Sequence, residues 1–384
     1  MDSDLFDEDH ERFRALVREF VDKHVVPKLQ QWDNDRLIDR DTWRIAGKLG
    51  LLGQAAPKQF GGAEEEDYRY RVVIQQEIAR VGASALQSGF STNDDIVLNY
   101  LLRHADDGQR ERWLSGFVTG EIIGAIAMTE PGAGSDLRAI QTTARKDARG
   151  WVLNGSKTFI TSGILCDLVI VFAKTDPGAG SRGFSLFVVE DGTPGFSRGR
   201  KLDKVGLHAQ DTAEMMFDDV LLGRDNLLGD EGAGFAYLMQ SLPRERLGIA
   251  IAAQASAEAV FDWTMAYVSG QRGPGERVGD FQSPGFVLAE LKTAIEVSRA
   301  YLDRCVRAYN HRTVSAVDAA KAKYWATELQ GRVIDAGLRL HGDYGYVPEY
   351  RFAKALIDAR IQRIYGGTNE IMKEIIRRDL MASG

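Results

Sequence analysis

The stretch from residue 127 to 136 reads Ala-Met-Thr-Glu-Pro-Gly-Ala-Gly-Ser-Asp and could bind a ligand. Its Pro-Gly-Ala-Gly core would expose successive backbone N–H groups with almost no side chain in the way, which suits an anionic or carbonyl-rich ligand. Thr129 and Ser135 add hydroxyls that both donate and accept hydrogen bonds. Gly and Pro also mark ordinary surface turns, and composition alone favours that second interpretation.

Glu245 is a second candidate for chemistry, because its carboxylate can accept a proton. It stands between Arg244 and Arg246, shortly after Pro243, where the pattern predicts the start or a kink of a helix. A solvated Glu in a first helical turn, favoured by the helix dipole, has the same spacing. The spacing alone leaves catalysis and helix stabilisation equally supported.

Composition and charge exclude several classes of protein. The chain has 384 residues, 44% hydrophobic and 27% charged, as expected of a globular protein with a large core. Its net charge of -7 argues against nucleic-acid binding, and no apolar run approaches the length that spans a bilayer. Cys166 and Cys305 have no spacing for a metal or a disulfide framework. The acidic first residues lack a basic targeting segment, so we expect a cytoplasmic protein that neither inserts into a membrane nor binds metal.

The elements that must position these residues change character along the chain. The first third has helical periodicity, with Phe13, Leu16, Val17, Phe20 and Val21 on one stripe. The apolar run 122–126 predicts a buried strand. The Asn154-Gly155 pair predicts a hairpin, and 168–173, 184–189 and 214–222 predict further strands.

Helical patterns return from about Gly234 to the end. Ser283-Pro284 indicates a helix start, Ser315 with Asp318 resembles a capping box, and His341-Gly342 would end that helix. The sequence therefore predicts a mostly helical α+β fold: a helical domain over 1–121, a middle β domain over 122–230 that is barrel-like, and a C-terminal helical bundle over 231–384.

Three segments in this order resemble the acyl-CoA dehydrogenase family: residues 128–136, 242–250 and 364–371. The likeness covers essentially the whole chain and is greatest to the long-chain branch, which shares Ala-Gln-Asp-Thr-Ala-Glu at 209–214 and Gly-Gly-Thr-Asn-Glu at 366–370. The resemblance implies the family fold, with a four-helix C-terminal bundle, and FAD as cofactor. It also implies removal of a proton from Cα and a hydride from Cβ of an acyl thioester.

The resemblance also selects the base. In many members a carboxylate precedes the Gly-Thr of the C-terminal motif, but here that residue is Gly366. In the long-chain and isovaleryl branches the base lies in the Glu-Arg-Leu segment, so the resemblance assigns it to Glu245. The backbone N–H of Gly366 keeps its implied role of polarising the thioester carbonyl.

Further roles follow by position in the family motifs. Thr129 and residues 159–161 would line the flavin ring, Ser135 would contact CoA or flavin, and Arg246 would lie on the substrate side. Helix-end residues 368–370 would meet the FAD diphosphate, while Phe281-Gln282 and residues 339–342 would reach the FAD of a neighbouring subunit.

The implied cofactor-binding residues are Ile126, Ala127, Met128, Thr129, Gly134, Ser135, Phe159, Ile160, Thr161, Gln282, Arg339, Gly342, Thr368, Asn369 and Glu370. The implied substrate-binding residues are Ser135, Arg246, Gly366 and Gly367. His341 is interpreted as a helix-end packing residue.

The chain departs from the family pattern on the surface that should hold a neighbour's FAD. It reads Gln-Arg-Gly-Pro-Gly at 271–275 where Arg-Lys-x-Phe-Gly is usual, and Arg339 and Asp343 replace parts of Gln-x-x-Gly-Gly. These changes at Gln271, Pro274, Arg339 and Asp343 either weaken FAD binding or mark a heteromeric partner.

The leading hypothesis is a homotetrameric, FAD-dependent acyl-CoA dehydrogenase of fatty acid β-oxidation that passes electrons to an electron-transferring flavoprotein. Dehydrogenation of an acyl group on a carrier protein, a non-catalytic subunit that completes a heteromeric enzyme, and a flavin oxygenase or oxidase are alternatives. Acyl chain length and branching are not encoded in any pattern we recognise.

Overall fold

The computed structural model describes residues 4–270, 277–347 and 350–382. The first part is helical, and its core is built by large apolar side chains such as Phe20, Trp43, Leu86 and Phe90. A π-helical turn at Val21–Val25 and a 3₁₀ turn containing Pro27 follow the first helix. The helices are α1 Glu8–Phe20, α2 Leu29–Asp35, α3 Arg40–Lys48, α4 Tyr68–Arg80, α5 Ser84–Phe90, α6 Leu98–His104 and α7 Asp107–Thr119.

The middle part is an eight-stranded sheet with the order β6-β7-β3-β2-β4-β5-β8, and β1 pairs in parallel with β4. The alternating stretches thus form strands, as predicted. The strands are β1 Gly124–Ala127, β2 Thr143–Asp147, β3 Gly150–Thr161, β4 Leu168–Lys174, β5 Phe184–Glu190, β6 Phe196–Lys201, β7 Thr212–Leu222 and β8 Leu227–Leu228.

The hairpin predicted at Asn154-Gly155 was wrong. Both residues lie inside the continuous strand β3, where the pairing with β7 shifts register between Leu153 and Gly155. Gly155 is needed for another reason: its φ is +147°, and a β-carbon there would be 2.5 Å from Thr142 Oγ1. The glycine allows close approach of β3 to the chain before β2, which Asn-Gly turn statistics do not distinguish from a hairpin.

Helices form the last part. The long helices α8 Gly234–Val268, α9 Gln282–Asn310 and α10 Ala316–His341 pack on one another, and α12 Asn369–Ala382 packs on α10; α11 Arg351–Ala359 completes the set. Ser315 and Asp318 form the predicted capping box, and α10 ends at His341 as predicted. The fold class is therefore confirmed. The domain boundaries at 121 and 230 stay a prediction.

No helix among the described residues is both long and apolar enough to cross a membrane. Nor do they contain a group of three or more His, Cys, Asp or Glu side chains that could hold a metal ion.

Candidate active site

Glu245 lies in the interior of α8, well past the helix start at Gly234, and Pro243 stands two residues before it in the same helix. Its side chain is buried, with 5% of the residue exposed. A solvated Glu in a first helical turn is therefore not what the structure contains. A carboxylate this deep in the molecule needs a partner, since water cannot stabilise its charge.

That partner is Tyr100 of α6, whose hydroxyl donates a hydrogen bond to Glu245 Oε1 at 3.1 Å. Burial raises the pKa of Glu245 to about 7, against the opposing effects of Tyr100, Arg246 and Arg244. A carboxylate with this pKa is a far better base than one in water. Sequence reasoning missed Tyr100 because it sits among Leu98 and Leu101 in an apolar stripe, although a buried tyrosine hydroxyl generally requires a partner.

The residues on either side of Glu245 face different elements. Arg244 donates to Asn99 Oδ1 and to the Tyr309 hydroxyl, both at 3.1 Å. Arg246 Nε donates to the carbonyl oxygen of Gly366 at 3.2 Å. The two arginines therefore fix the helix between α6, α9 and the turn before α12, and they bring Glu245 and the Gly366 turn to one site.

The Gly366-Gly367 turn accepts a side chain at its first residue only if a neighbour moves. Gly366 has φ of +65° and Gly367 has φ of +89°, both in the left-handed region. A β-carbon on Gly366 would lie 2.4 Å from Ile249 Cδ1, the end of a flexible, partly exposed side chain one helical turn beyond Glu245. The usual family carboxylate would therefore require Ile249 of α8 to turn away.

The Gly-rich loop after β1 is closed by hydrogen bonds within its own backbone. Glu130 and Ala133 exchange two backbone hydrogen bonds of 2.9 and 3.1 Å, so the loop is a tight turn and not every N–H is free. Gly132 and Gly134 are exposed, and no described atom outside the turn lies within 4 Å of where a β-carbon on either would stand. Ser135 is exposed beside them. The loop therefore presents open backbone at Gly132 and Gly134, and ligand binding there stays a prediction.

Lys157 of β3 holds this loop in place and was not singled out by the sequence. Its ammonium group, buried beneath the loop, donates to Met128 O and to Glu130 Oε1, both at 2.9 Å. Glu130 also accepts from the backbone N–H of Gln141 and Thr142. Burial lowers the pKa of Lys157 to about 8, although Glu130 opposes this shift.

A face suited to a flat aromatic ring lies beside the loop. Phe159 is 67% exposed, and its φ of +59° coincides with a register shift between Lys157 and Ile160 in the pairing of β3 with β7. The Thr158 N–H donates to Thr129 O at 2.9 Å, which joins the end of β1 to this bulge. An exposed aromatic side chain on a strained bulge fits stacking against a ring system such as a flavin.

Other residues of the predicted flavin site contribute differently. Thr129, Thr161, Met128 and Ile126 are partly exposed, whereas the side chains of Ile160 and Ala127 are buried in the sheet core. These two residues can offer only backbone groups to a ligand.

At the predicted diphosphate end, Asn369 begins α12 but its side chain points inward. It accepts from Lys323 Nζ at 2.9 Å and donates to Glu328 Oε1 at 2.8 Å. Thr368 is partly exposed, Glu370 is exposed, and the Thr368 hydroxyl accepts from the N–H of Ile371. Since the Asn369 side chain is engaged by α10, a contact of this residue with the FAD diphosphate would use its backbone, and the contact itself stays a prediction.

The residues predicted to reach a neighbouring subunit lie on the surface of the C-terminal helices. Gln282 begins α9, Arg339 is in the last turn of α10, and Gly342 and Asp343 follow; all four are exposed. Gln271 and Pro274 lie outside the described residues. His341 is buried and stacks on Tyr267 and Phe352, with ring centroids 3.7 Å apart in each case, which supports the packing interpretation.

Comparison with known proteins defines the class. The chain matches the acyl-CoA dehydrogenase N-terminal domain over residues 7–121, the middle domain over 125–220 and the C-terminal domain over 232–381. The chain therefore belongs to the acyl-CoA dehydrogenase family, whose members are FAD-dependent oxidoreductases, and both the enzyme class and the cofactor predicted from the sequence are confirmed.

Among its relatives, long-chain specific acyl-CoA dehydrogenase of Sus scrofa mitochondria is 45% identical over 379 residues, covering 98% of this chain and 87% of the relative. Mitochondrial isovaleryl-CoA dehydrogenase of Pongo abelii is 35% identical over 376 residues, covering 97% of this chain and 88% of the relative. A crystal structure of acyl-CoA dehydrogenase from Geobacillus kaustophilus superposes with a TM-score of 0.95 at 46% identity, covering 98% of each chain.

Proposed function

We propose that this enzyme removes the α-proton and the β-hydride of an acyl-CoA thioester, giving the trans-2-enoyl-CoA, with Glu245 as the catalytic base. The observation that carries the proposal is the buried Glu245 carboxylate, with a pKa of about 7, joined through Arg246 to a turn that has no carboxylate of its own. Bound FAD would supply the acceptor of the hydride. The Gly-rich loop, Phe159 and the start of α12 would hold the FAD.

Each of the chain's own groups has a separate task in this reaction. The Cα–H bond breaks and its proton goes to a Glu245 oxygen, while negative charge develops on the thioester oxygen. The backbone N–H of Gly366 would stabilise that charge by donating a hydrogen bond to the thioester oxygen. Burial of Glu245 excludes water from the base, and the Tyr100 hydroxyl keeps the carboxylate oriented when no substrate is bound.

The electrons are proposed to leave through an electron-transferring flavoprotein, as the family resemblance implies. The 45% identity to a long-chain specific enzyme supports a fatty acyl-CoA substrate in β-oxidation. Cytoplasmic localisation stays a prediction, because the two curated relatives compared above are mitochondrial.

A homotetramer is proposed from the surface of the C-terminal helices. Phe281, Phe286, Tyr344 and Tyr346 are each more than half exposed there, and apolar surface of this kind is typical of contact between subunits. Light scattering tests this: a mass four times that of the chain is expected, and an active FAD-bound monomer would contradict it.

The decisive experiment is the absorbance spectrum of purified protein, followed by anaerobic titration with acyl-CoAs of different length and branching. We expect about one flavin per chain, bleached by at least one acyl-CoA. Colourless protein that stays without FAD in excess cofactor would favour the subunit of a heteromeric enzyme, which the exposed Asp343 and the altered 271–275 segment would then explain. Bleaching only by acyl groups on a carrier protein would support the carrier-linked alternative, and rapid oxygen consumption by the reduced protein would indicate an oxidase.

A further inference from the structure

Lys323 of α10 is fully buried, and neither the motifs nor the proposed reaction uses it. Its ammonium group donates to the carbonyl oxygen of Gly367 and to Asn369 Oδ1, both at 2.9 Å. The Asn369 amide is held in turn by Thr327 and Glu328 of the same helix. Lys323 therefore reaches from the C-terminal bundle to both sides of Thr368.

Arg246 makes the matching contact one residue earlier, by donating to the carbonyl oxygen of Gly366. Two cations from different helices thus hold two consecutive carbonyl groups of the same turn. In a trans peptide the C=O and the following N–H point in opposite directions. The contact from Arg246 therefore turns the Gly367 N–H away from α8, and the contact from Lys323 turns the Thr368 N–H away from α10.

The first two residues of the turn cannot fix these peptide planes by themselves. Gly366 and Gly367 both have left-handed φ values and lack side chains, so their backbone would otherwise sample many conformations. The α12 helix begins directly after them, and the positive end of its dipole adds to the two buried cations. The site is thus electropositive and oriented before a ligand arrives.

The charged groups facing Lys323 come from three elements. Arg246 of α8 is a cation, Glu370 of α12 and Glu328 of α10 are anions, and Arg363 before α12 pairs with Glu328. Burial, and then Arg246, lowers the pKa of Lys323 to about 7, with the two glutamates opposing the shift. In its protonated form the Lys323 ammonium group exerts a strong local field, because little water surrounds it.

We infer that Lys323 is a positioning residue for the dehydrogenation: together with Arg246 it fixes the two peptide planes that follow Gly366, and so keeps the Gly366 N–H where it can meet the negative charge developing on the thioester oxygen. The inference rests on the proposed function, since the reacting thioester is what the turn is said to bind. Lys323 touches neither substrate nor cofactor in this arrangement and acts only through the turn.

The test compares Lys323→Met, Lys323→Gln and the control Lys321→Met, which removes an exposed lysine from the same helix. Wild-type protein must first be bleached by an acyl-CoA; if no acyl-CoA bleaches it, the proposed function fails and not this inference alone. With the enzyme saturated with FAD, Lys323→Met should lower kcat about 10-fold or more. The change in KM should be much smaller, because the thioester oxygen becomes negatively charged only in the transition state. Lys323→Gln retains donors and should lie between Lys323→Met and wild type.

A second readout does not depend on turnover. The infrared carbonyl band of bound trans-2-enoyl-CoA reports how strongly the thioester oxygen is polarised. In Lys323→Met this band should move back towards its frequency in water, while Lys321→Met should match wild type.

The inference is overturned if Lys323→Met keeps wild-type kcat and carbonyl frequency. It is also overturned if Lys323→Met and Lys323→Gln both fail to hold FAD in excess cofactor, since the residue then supports the structure or the cofactor. If Lys323→Met lacks FAD but Lys323→Gln holds it, the inference is decided by the kcat and the carbonyl frequency of Lys323→Gln.

Discussion

Ile249 Cδ1 occupies the space that a side chain on Gly366 would need, because a β-carbon there would lie only 2.4 Å away. Ile249 stands one helical turn after Glu245, so the same helix provides the carboxylate and a side chain that must move before residue 366 can carry one. Placing an acid in the C-terminal motif therefore requires repacking against α8 as well as a left-handed φ at a residue other than glycine.

The first prediction concerns Glu245 itself. Glu245→Gln keeps the shape and the contact with Tyr100 but removes the charge that accepts the proton. We expect flavin reduction by an acyl-CoA to slow by about 100-fold to 10,000-fold, with FAD content nearly unchanged. Stopped-flow absorbance gives the rate, and reduction as fast as in wild type would show that the base lies elsewhere.

The second prediction concerns moving the base to the turn. Gly366→Glu in the Glu245→Gln background should restore little activity, because Ile249 must first turn away and the left-handed φ costs a further ~1–2 kcal/mol. Adding Ile249→Ala opens the space, and some activity per bound FAD should return. Glu245→Gln with Ile249→Ala is the control, and equal rates in all three proteins would contradict the steric argument.

The third prediction concerns the hydrogen bond from Tyr100. This bond favours the ionised carboxylate, so Tyr100→Phe should raise the pKa of Glu245 by about one further unit. Because the base must be ionised, the acidic limb of the kcat/KM profile should move to higher pH. Activity at pH 7 should then fall by about five-fold, and near pH 9 it should approach that of wild type. Tyr309→Phe removes a comparable hydroxyl that contacts Arg244 and should leave the limb in place.

The fourth prediction concerns the buried pair beneath the Gly-rich loop. Lys157→Met leaves the Glu130 carboxylate without its cation and should lower the free energy of unfolding by about 3–5 kcal/mol. Adding Glu130→Gln removes the unpaired charge and should recover much of that loss. Chemical denaturation measures the difference, with the exposed Lys146→Met as control. Lys157→Met and the double variant should both bind FAD more weakly, because the loop loses the ion pair between Lys157 and Glu130 that holds it in place.

Sequence reasoning was effective where the information is local. The capping box at Ser315, the end of α10 and the change from helical to alternating periodicity each depend on neighbours a few residues apart. The motif resemblance singled out Glu245, Phe159 and the 366–370 turn, whose roles stay predictions.

What escaped prediction depends on contacts between distant parts of the chain. Tyr100 and Glu245, or Lys323 and Gly367, meet only after α6, α8 and α10 have packed. The Asn154-Gly155 error has the same origin, because what Gly155 accommodates is Thr142 of another segment. The order of residue types along the chain does not show which distant residues become neighbours after folding.

Pro243 divides α8 into two parts that should differ in how readily their hydrogen bonds open. Proline has no N–H, so the carbonyl of Met239 lacks its usual helical partner, and the helix consists of two hydrogen-bonded lengths joined at a weak point. In hydrogen exchange we expect the amides of residues 234–242 to exchange faster than those of 247–260, and a more uniform profile after Pro243→Ala. Glu245 lies on the protected side of this break, so transient opening of the first length leaves the carboxylate where it is.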